Sequence, residues 1–116
     1  MKRLIRSFYY AFHGLRAAFR AELNLKIYNV ITILLLICSF YFRLATWEWT
    51  VLLLTIGIMY VCELFNTAIE RVVDLVTEEY HPLAKQAKDI AAGACLFFAG
   101  ISVIIGILIF YPKIFR

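Results

Sequence analysis

Four polar side chains break an apolar stretch at helical spacing: Glu63, Asn66, Glu70 and Asp74. At about 100° per residue they fall within a sector of roughly 80°, so they form one polar stripe on one helix. Depth sets their meaning. Trp49 belongs to a residue type that favours the membrane–water boundary, and from there the helix rises about 21 Å to Glu63. Glu63 therefore lies near the inner edge of a bilayer's hydrocarbon. A carboxylate at that depth is costly and rarely faces lipid, which makes it a functional candidate. The structural alternative is a buried glutamate bonded to a neighbouring helix. As chemistry, such a group could take a proton from a hydroxyl held at headgroup depth.

Glu70 lies about 10 Å further along the axis. Its neighbourhood mixes signs: Asp74, Lys85, Lys88, Asp89, and Glu22 from an earlier segment. Carboxylates suit Mg²⁺, which keeps several waters and prefers phosphate oxygens. Lysines neutralise phosphates. A solvated charged loop with surface ion pairs has the same composition, and charge alone leaves both readings open. The chain contains neither G-x-x-x-x-G-K-[ST] nor G-x-G-x-x-G. Any nucleotide it uses is thus bound without a Walker or protein-kinase scaffold. His13 and His81 lack metal-ligand spacing and read as hydrogen-bonding or interface residues. Cys38, Cys62 and Cys95 all fall in apolar blocks without C-x-x-C spacing, and read as small packing residues.

The elements that must position these groups are membrane helices. Of the 116 residues, 64% are hydrophobic, against about 45–50% in soluble domains. The excess is gathered in three blocks, and mean hydropathy is +0.83. The expected fold is an all-α integral membrane protein in one domain, residues 1–116. It has an amphipathic interfacial helix over about 2–23 and spans over about 27–45, 49–76 and 90–111. In the first segment Leu4, Phe8, Ala11, Phe12, Leu15 and Phe19 recur at three- and four-residue steps beside five basic residues, the pattern of a helix lying on an anionic membrane. It lacks the compact apolar run and cleavage site of a signal peptide. The segment from Thr77 to Lys85 reads as a loop broken at Pro82, and Pro112 as the end of the last span. Gly93, Ala94, Ala99, Gly100 and Gly106 offer small faces for close helix packing.

The net charge of +4 is a topology signal rather than a sign of nucleic-acid binding. Lys2, Arg3, Arg6, Arg16, Arg20, Lys26, Arg71, Lys85 and Lys88 fall on one side, nine against the three of Arg43, Lys113 and Arg116. The positive-inside rule then puts the N-terminus and the second loop in the cytoplasm. A proton pathway is disfavoured, because the outer half of the second span offers only Thr50 and Thr55 as polar groups.

The string Glu63-Leu-Phe-Asn-Thr-Ala-Ile-Glu70-Arg-Val-Val-Asp74 resembles the signature of the small prokaryotic diacylglycerol kinase and undecaprenol kinase family. So do Glu79-Tyr-His-Pro-Leu-Ala-Lys-Gln-Ala-Lys88-Asp89 and Gly14-Leu-Arg-Ala-Ala-Phe, in the same order and spacing, over essentially the whole chain. The resemblance implies a multi-pass lipid kinase of the bacterial inner membrane, a homotrimer with active sites shared between neighbouring subunits, and ATP and Mg²⁺ as co-substrate and cofactor. By motif position Glu63 is the general base with Asn66 beside it, and Glu22 and Glu70 bind the metal. Arg3, Tyr10, the turn Glu79-Tyr80-His81, Lys88 and Asp89 contact ATP. Family members that prefer undecaprenol tend to read E-x-N-x-x-x-H after the surface helix. Here the segment is Glu22-Leu-Asn24-Leu-Lys-Ile-Tyr28; Asn24 fits and Tyr28 departs. Undecaprenol is favoured as the lipid alcohol, with diacylglycerol as the alternative. A non-catalytic membrane assembly or regulatory subunit is the rival of another class.

Overall fold

The computed structural model describes residues 1–115. Arg116, counted above among the three basic residues of the far side, lies outside them. Four helices follow in order: α1 (Lys2–Ala21), α2 (Leu23–Tyr41), α3 (Thr46–Val76) and α4 (Pro82–Ile114). The last three are long and apolar enough to cross a membrane. Among the described residues there is no strand.

Helix α1 is amphipathic, and the bundle leaves its apolar side bare: Leu4, Phe8 and Phe12 are all exposed. That is the state of a helix whose apolar face belongs in the headgroup boundary. A single residue breaks α1 from α2. Glu22 takes an extended conformation, its N–H closing α1 on the Ala18 carbonyl at 2.9 Å. Leu23, expected to end the surface helix, and Asn24 to Lys26, expected to be connector, are therefore already the first turn of α2. Ala18 and the fully buried Leu25 pack on either side of this joint.

After α2 the chain reverses through Arg43, whose φ of 51° puts a non-glycine residue in the left-handed region. The short turn at this end of α2 is closed by the Leu44 N–H on the Ser39 carbonyl at 3.3 Å. Helix α3 then runs for 31 residues, about 46 Å at about 1.5 Å each. It is longer than a hydrocarbon core of about 30 Å, and the exposed Asp74 lies in its last turns.

Two proline expectations change. Pro82 does not sit inside a loop; it opens α4, where its missing N–H is one that no helix could satisfy. The His81 ring Nδ1 accepts the Leu83 N–H at 3.1 Å and caps the same turn. The loop shrinks to residues 77–81, and two turns of α4 precede the apolar span at Ile90. Pro112 does not end the last helix either. It removes one hydrogen bond, but α4 continues to Ile114, and the Phe115 N–H bonds the Tyr111 carbonyl at 3.1 Å.

Packing is concentrated between α3 and α4, while α2 meets α3 at few places. On α4 the buried positions are Ala91, Cys95 and Ile109. The small-residue expectation is thus not met within one chain. Gly93, Ala94 and Gly100 are exposed, and a Cβ added at Gly93, Gly100 or Gly106 would meet nothing within 4 Å.

At the end of the bundle remote from the polar stripe, Glu48 does two jobs. Its Oε1 accepts the Ala45 N–H at 2.9 Å, capping α3, and pairs with Lys113 Nζ at 2.9 Å. Both side chains are largely buried, so the pair ties the start of α3 to the end of α4. Lys113→Met keeps the length of the side chain but removes the ammonium from the Glu48 carboxylate. Losing a hydrogen bond to a charged group costs about 1.5–3 kcal/mol, so the thermal midpoint in detergent should fall. An unchanged midpoint would mean that the pair contributes nothing.

Candidate active site

The polar stripe of α3 is graded in depth. Glu63, Asn66 and Thr67 are buried, Glu70 is half-buried, and Asp74 is exposed. The gradient runs along α3 from its apolar stretch towards the loop.

Glu63, at 3% exposure, is met from two helices. From α2 the Asn24 side chain donates Nδ2–H to Glu63 Oε1 at 3.2 Å. From α4 the buried Cys95 lies close enough to the same carboxylate to feel its charge. Asn66, expected beside Glu63, turns the other way and donates to Glu70 Oε1 at 3.3 Å. The amide beside the candidate base is Asn24. Sequence reading had noted Asn24 only for its place in the E-x-N segment; the available signal was an amide two residues past Glu22.

Glu22 reaches the same region from the α1–α2 joint, where its carboxylate lies 4.0 Å from the Arg71 guanidinium. At that distance and exposure the pair is worth well under about 1 kcal/mol, so Glu22 stays available to a stronger partner. The donor set fits a hard divalent cation. Glu22 and Glu70 supply carboxylates on the water side of Glu63, and the Asn66 Oδ1 is buried with no hydrogen-bond partner. An orphaned amide oxygen between carboxylates is the kind of ligand Mg²⁺ accepts alongside its waters. Cysteine and histidine, which would favour softer metals, do not join the set.

The remaining candidates divide into two groups. Glu79, Tyr80, His81 and Lys88 come together around an open cleft of about 330 Å³, with Thr77 and Lys85. Within this chain Lys88 pairs with Asp74, and Asp89 pairs with Lys85. Lys88 stands on the polar turns of α4 before the apolar span, and the Asp74 hydrogen bond pushes its ammonium pKa up from the ordinary lysine value. It remains a cation throughout the working range, as phosphate neutralisation requires. Arg3 and Tyr10 form the second group. They stand on the far half of α1, where Tyr10 meets Tyr9 edge-on at 5.7 Å between ring centres. Arg3 is about 28 Å along the helix axis from Glu22, so one chain does not bring it to the stripe.

On the membrane side of Glu63 an apolar cleft of about 360 Å³ opens between α2, α3 and α4. Tyr28 and Tyr60 line its end nearest Glu63, and Leu52 and Gly106 lie further along it. The Tyr60 hydroxyl donates to Asn29 Oδ1 at 2.7 Å and bonds Thr32 Oγ1 at 3.0 Å, joining α2 to α3 at this point.

The signature of the prokaryotic diacylglycerol kinases matches residues 9–110. The chain belongs to that family. The match spans every candidate site residue except Arg3. An undecaprenol kinase of Bacillus subtilis is 47% identical over 114 residues, covering 98% of this chain and 93% of the relative. A diacylglycerol kinase of Synechocystis is 39% identical over 112 residues, covering 96% of this chain and 64% of the relative. The diacylglycerol kinase of Escherichia coli K12 is 30% identical over 102 residues, covering 88% and 84%. Like these relatives, this diacylglycerol kinase family member is a membrane-bound lipid kinase.

Proposed function

We propose that this chain moves the γ-phosphoryl group of ATP to the hydroxyl of undecaprenol, at the cytoplasmic face of the bacterial inner membrane. The observation that carries the reading is the graded stripe at the end of three membrane-length helices. It lets a lipid hydroxyl meet a buried carboxylate without leaving the bilayer, while phosphate-binding groups stay in water. Glu63 accepts the hydroxyl proton as the lipid oxygen forms its bond to the γ-phosphorus. The bond from that phosphorus to the β–γ bridging oxygen breaks, and ADP leaves with the bridging oxygen. Glu22, Glu70 and the Asn66 Oδ1 would hold Mg²⁺, which when bound would neutralise phosphate charge. Lys88 and the Glu79–His81 turn hold the nucleotide. Positioning and charge neutralisation supply most of the catalysis in this reaction class.

Undecaprenol is supported by the 47% identity to the Bacillus enzyme over nearly its whole length and by Asn24. Diacylglycerol is the second reading, favoured by the names of the other relatives and by Tyr28. The cytoplasmic N-terminus rests on the nine-to-three distribution of basic residues. A homotrimer with shared sites is supported by the distance of Arg3 and Tyr10 from the stripe of their own chain. The uncovered small-residue face of α4 at Gly93, Ala94 and Gly100 also supports it.

The test uses purified protein in sealed vesicles carrying undecaprenol or diacylglycerol at equal mole fraction, with labelled ATP added outside. Undecaprenyl phosphate should form several-fold faster than phosphatidic acid. Orientation sorted by protease should show that only molecules with the N-terminus facing the added ATP work. Faster labelling of diacylglycerol gives the second reading. Transfer to neither lipid leaves a non-catalytic subunit.

A further inference from the structure

Glu63 is nearly buried, and its carboxylate turns on three side-chain bonds. A base in that position helps only if one oxygen is held within about 2.6–3.2 Å of the proton it takes. The Asn24 amide donates a hydrogen bond from α2 to that carboxylate, at 3.2 Å between residues 39 positions apart. Asn24 is itself held in place. Its neighbour Leu25 is fully buried, and the Tyr60 hydroxyl ties α2 to α3 again at Asn29 and Thr32.

From this geometry we infer that Asn24 is a positioning residue for the base. Its N–H engages Glu63 Oε1 and fixes the carboxylate plane, leaving the second oxygen to take the lipid hydroxyl's proton. A neutral amide suits the task. It donates without carrying a proton that the carboxylate could capture, as a lysine would, and without the repulsion of a second acid. Asn24 itself is exposed on the flank of α2. Two residues away, Glu22 faces the water side from the same joint. One short segment thus provides a group for each half of the reaction. The inference rests on the reading of Glu63 as the base.

The test is a double-mutant cycle between Asn24 and Glu63 in lipid vesicles. Asn24→Ala should lower kcat about 10- to 100-fold, the size of effect expected from a misplacement of about 1 Å. The KM values for ATP and lipid, and the thermal midpoint, should change little. Asn24→Asp keeps the shape but removes the donor, and should be at least as slow. A purely steric role would leave Asn24→Asp active. In the Glu63→Gln background Asn24→Ala should have no further effect on kcat, because there is no base left to hold. Full kcat in Asn24→Ala overturns the inference, as does a loss that multiplies with that of Glu63→Gln. If Glu63→Gln itself keeps its kcat, the base assignment fails and takes this inference with it, an outcome distinct from both.

Discussion

Glu63→Gln in lipid vesicles should lose about 10²- to 10⁴-fold in kcat, the usual contribution of a positioned general base, while binding ATP as before. The substitution keeps the size of the side chain and still gives Asn24 an oxygen to donate to, so the packing between α2, α3 and α4 survives. What disappears is the ability to accept a proton where the lipid hydroxyl arrives. Nucleotide affinity should hold because the phosphate and metal groups stand on other residues: Glu22, Glu70, Lys88 and the Glu79–His81 turn. The decisive measurement is kcat together with ATP affinity. A variant that keeps most of its kcat, or that loses ATP affinity with kcat intact, makes Glu63 a packing or nucleotide-site carboxylate.

The second large effect concerns the cation. Glu22→Gln and Glu70→Gln should each raise the Mg²⁺ concentration needed for half-maximal activity by about 10- to 100-fold. That is the loss of roughly 1.5–3 kcal/mol for one contact to a charged group. Glu70→Gln keeps a hydrogen-bond acceptor for the Asn66 amide, so the shift reads the missing charge rather than a collapsed stripe. Glu22→Gln also loses the 4.0 Å contact to Arg71. Arg71→Gln removes that same ion pair without removing a carboxylate, and should move the titration by less than about five-fold. Unchanged Mg²⁺ titrations in both glutamate variants would remove these residues from the metal site.

The polar stripe of the candidate site is legible in the sequence. Glu63, Glu70 and Asp74 declare themselves because a carboxylate in an apolar stretch violates the local pattern, and because helical period alone decides that they share a face. The roles of Arg3, Tyr10 and the Glu79–His81 turn came only through resemblance. No local rule says what an exposed arginine or tyrosine will meet, and among the described residues neither is hydrogen-bonded to the stripe by its side chain. The two prolines misled for a related reason. A proline's effect depends on its place in a helix. At Pro82 the first turn has no hydrogen bond to lose; at Pro112 one lost bond does not end the last turn.

By itself the sequence determined the membrane class, the three spanning helices, the interfacial helix and the polar stripe. Hydropathy and the helical period are properties of neighbouring residues, and the bilayer demands that every backbone polar group be satisfied within its own segment. Only the tertiary structure decided which groups face one another. It set Asn24 rather than Asn66 against Glu63, Lys88 against Asp74, and Lys113 against Glu48. It also buried Ala91, Cys95 and Ile109 on α4 while leaving Gly93 and Gly100 bare. Each of these depends on the rotation and axial offset of one helix against another. A rotation of about 100° exchanges one residue for the next in the contact face, and a shift of about 1.5 Å moves every partner by one position. Neither quantity is written in the spacing along a single helix; side-chain packing between the helices sets both.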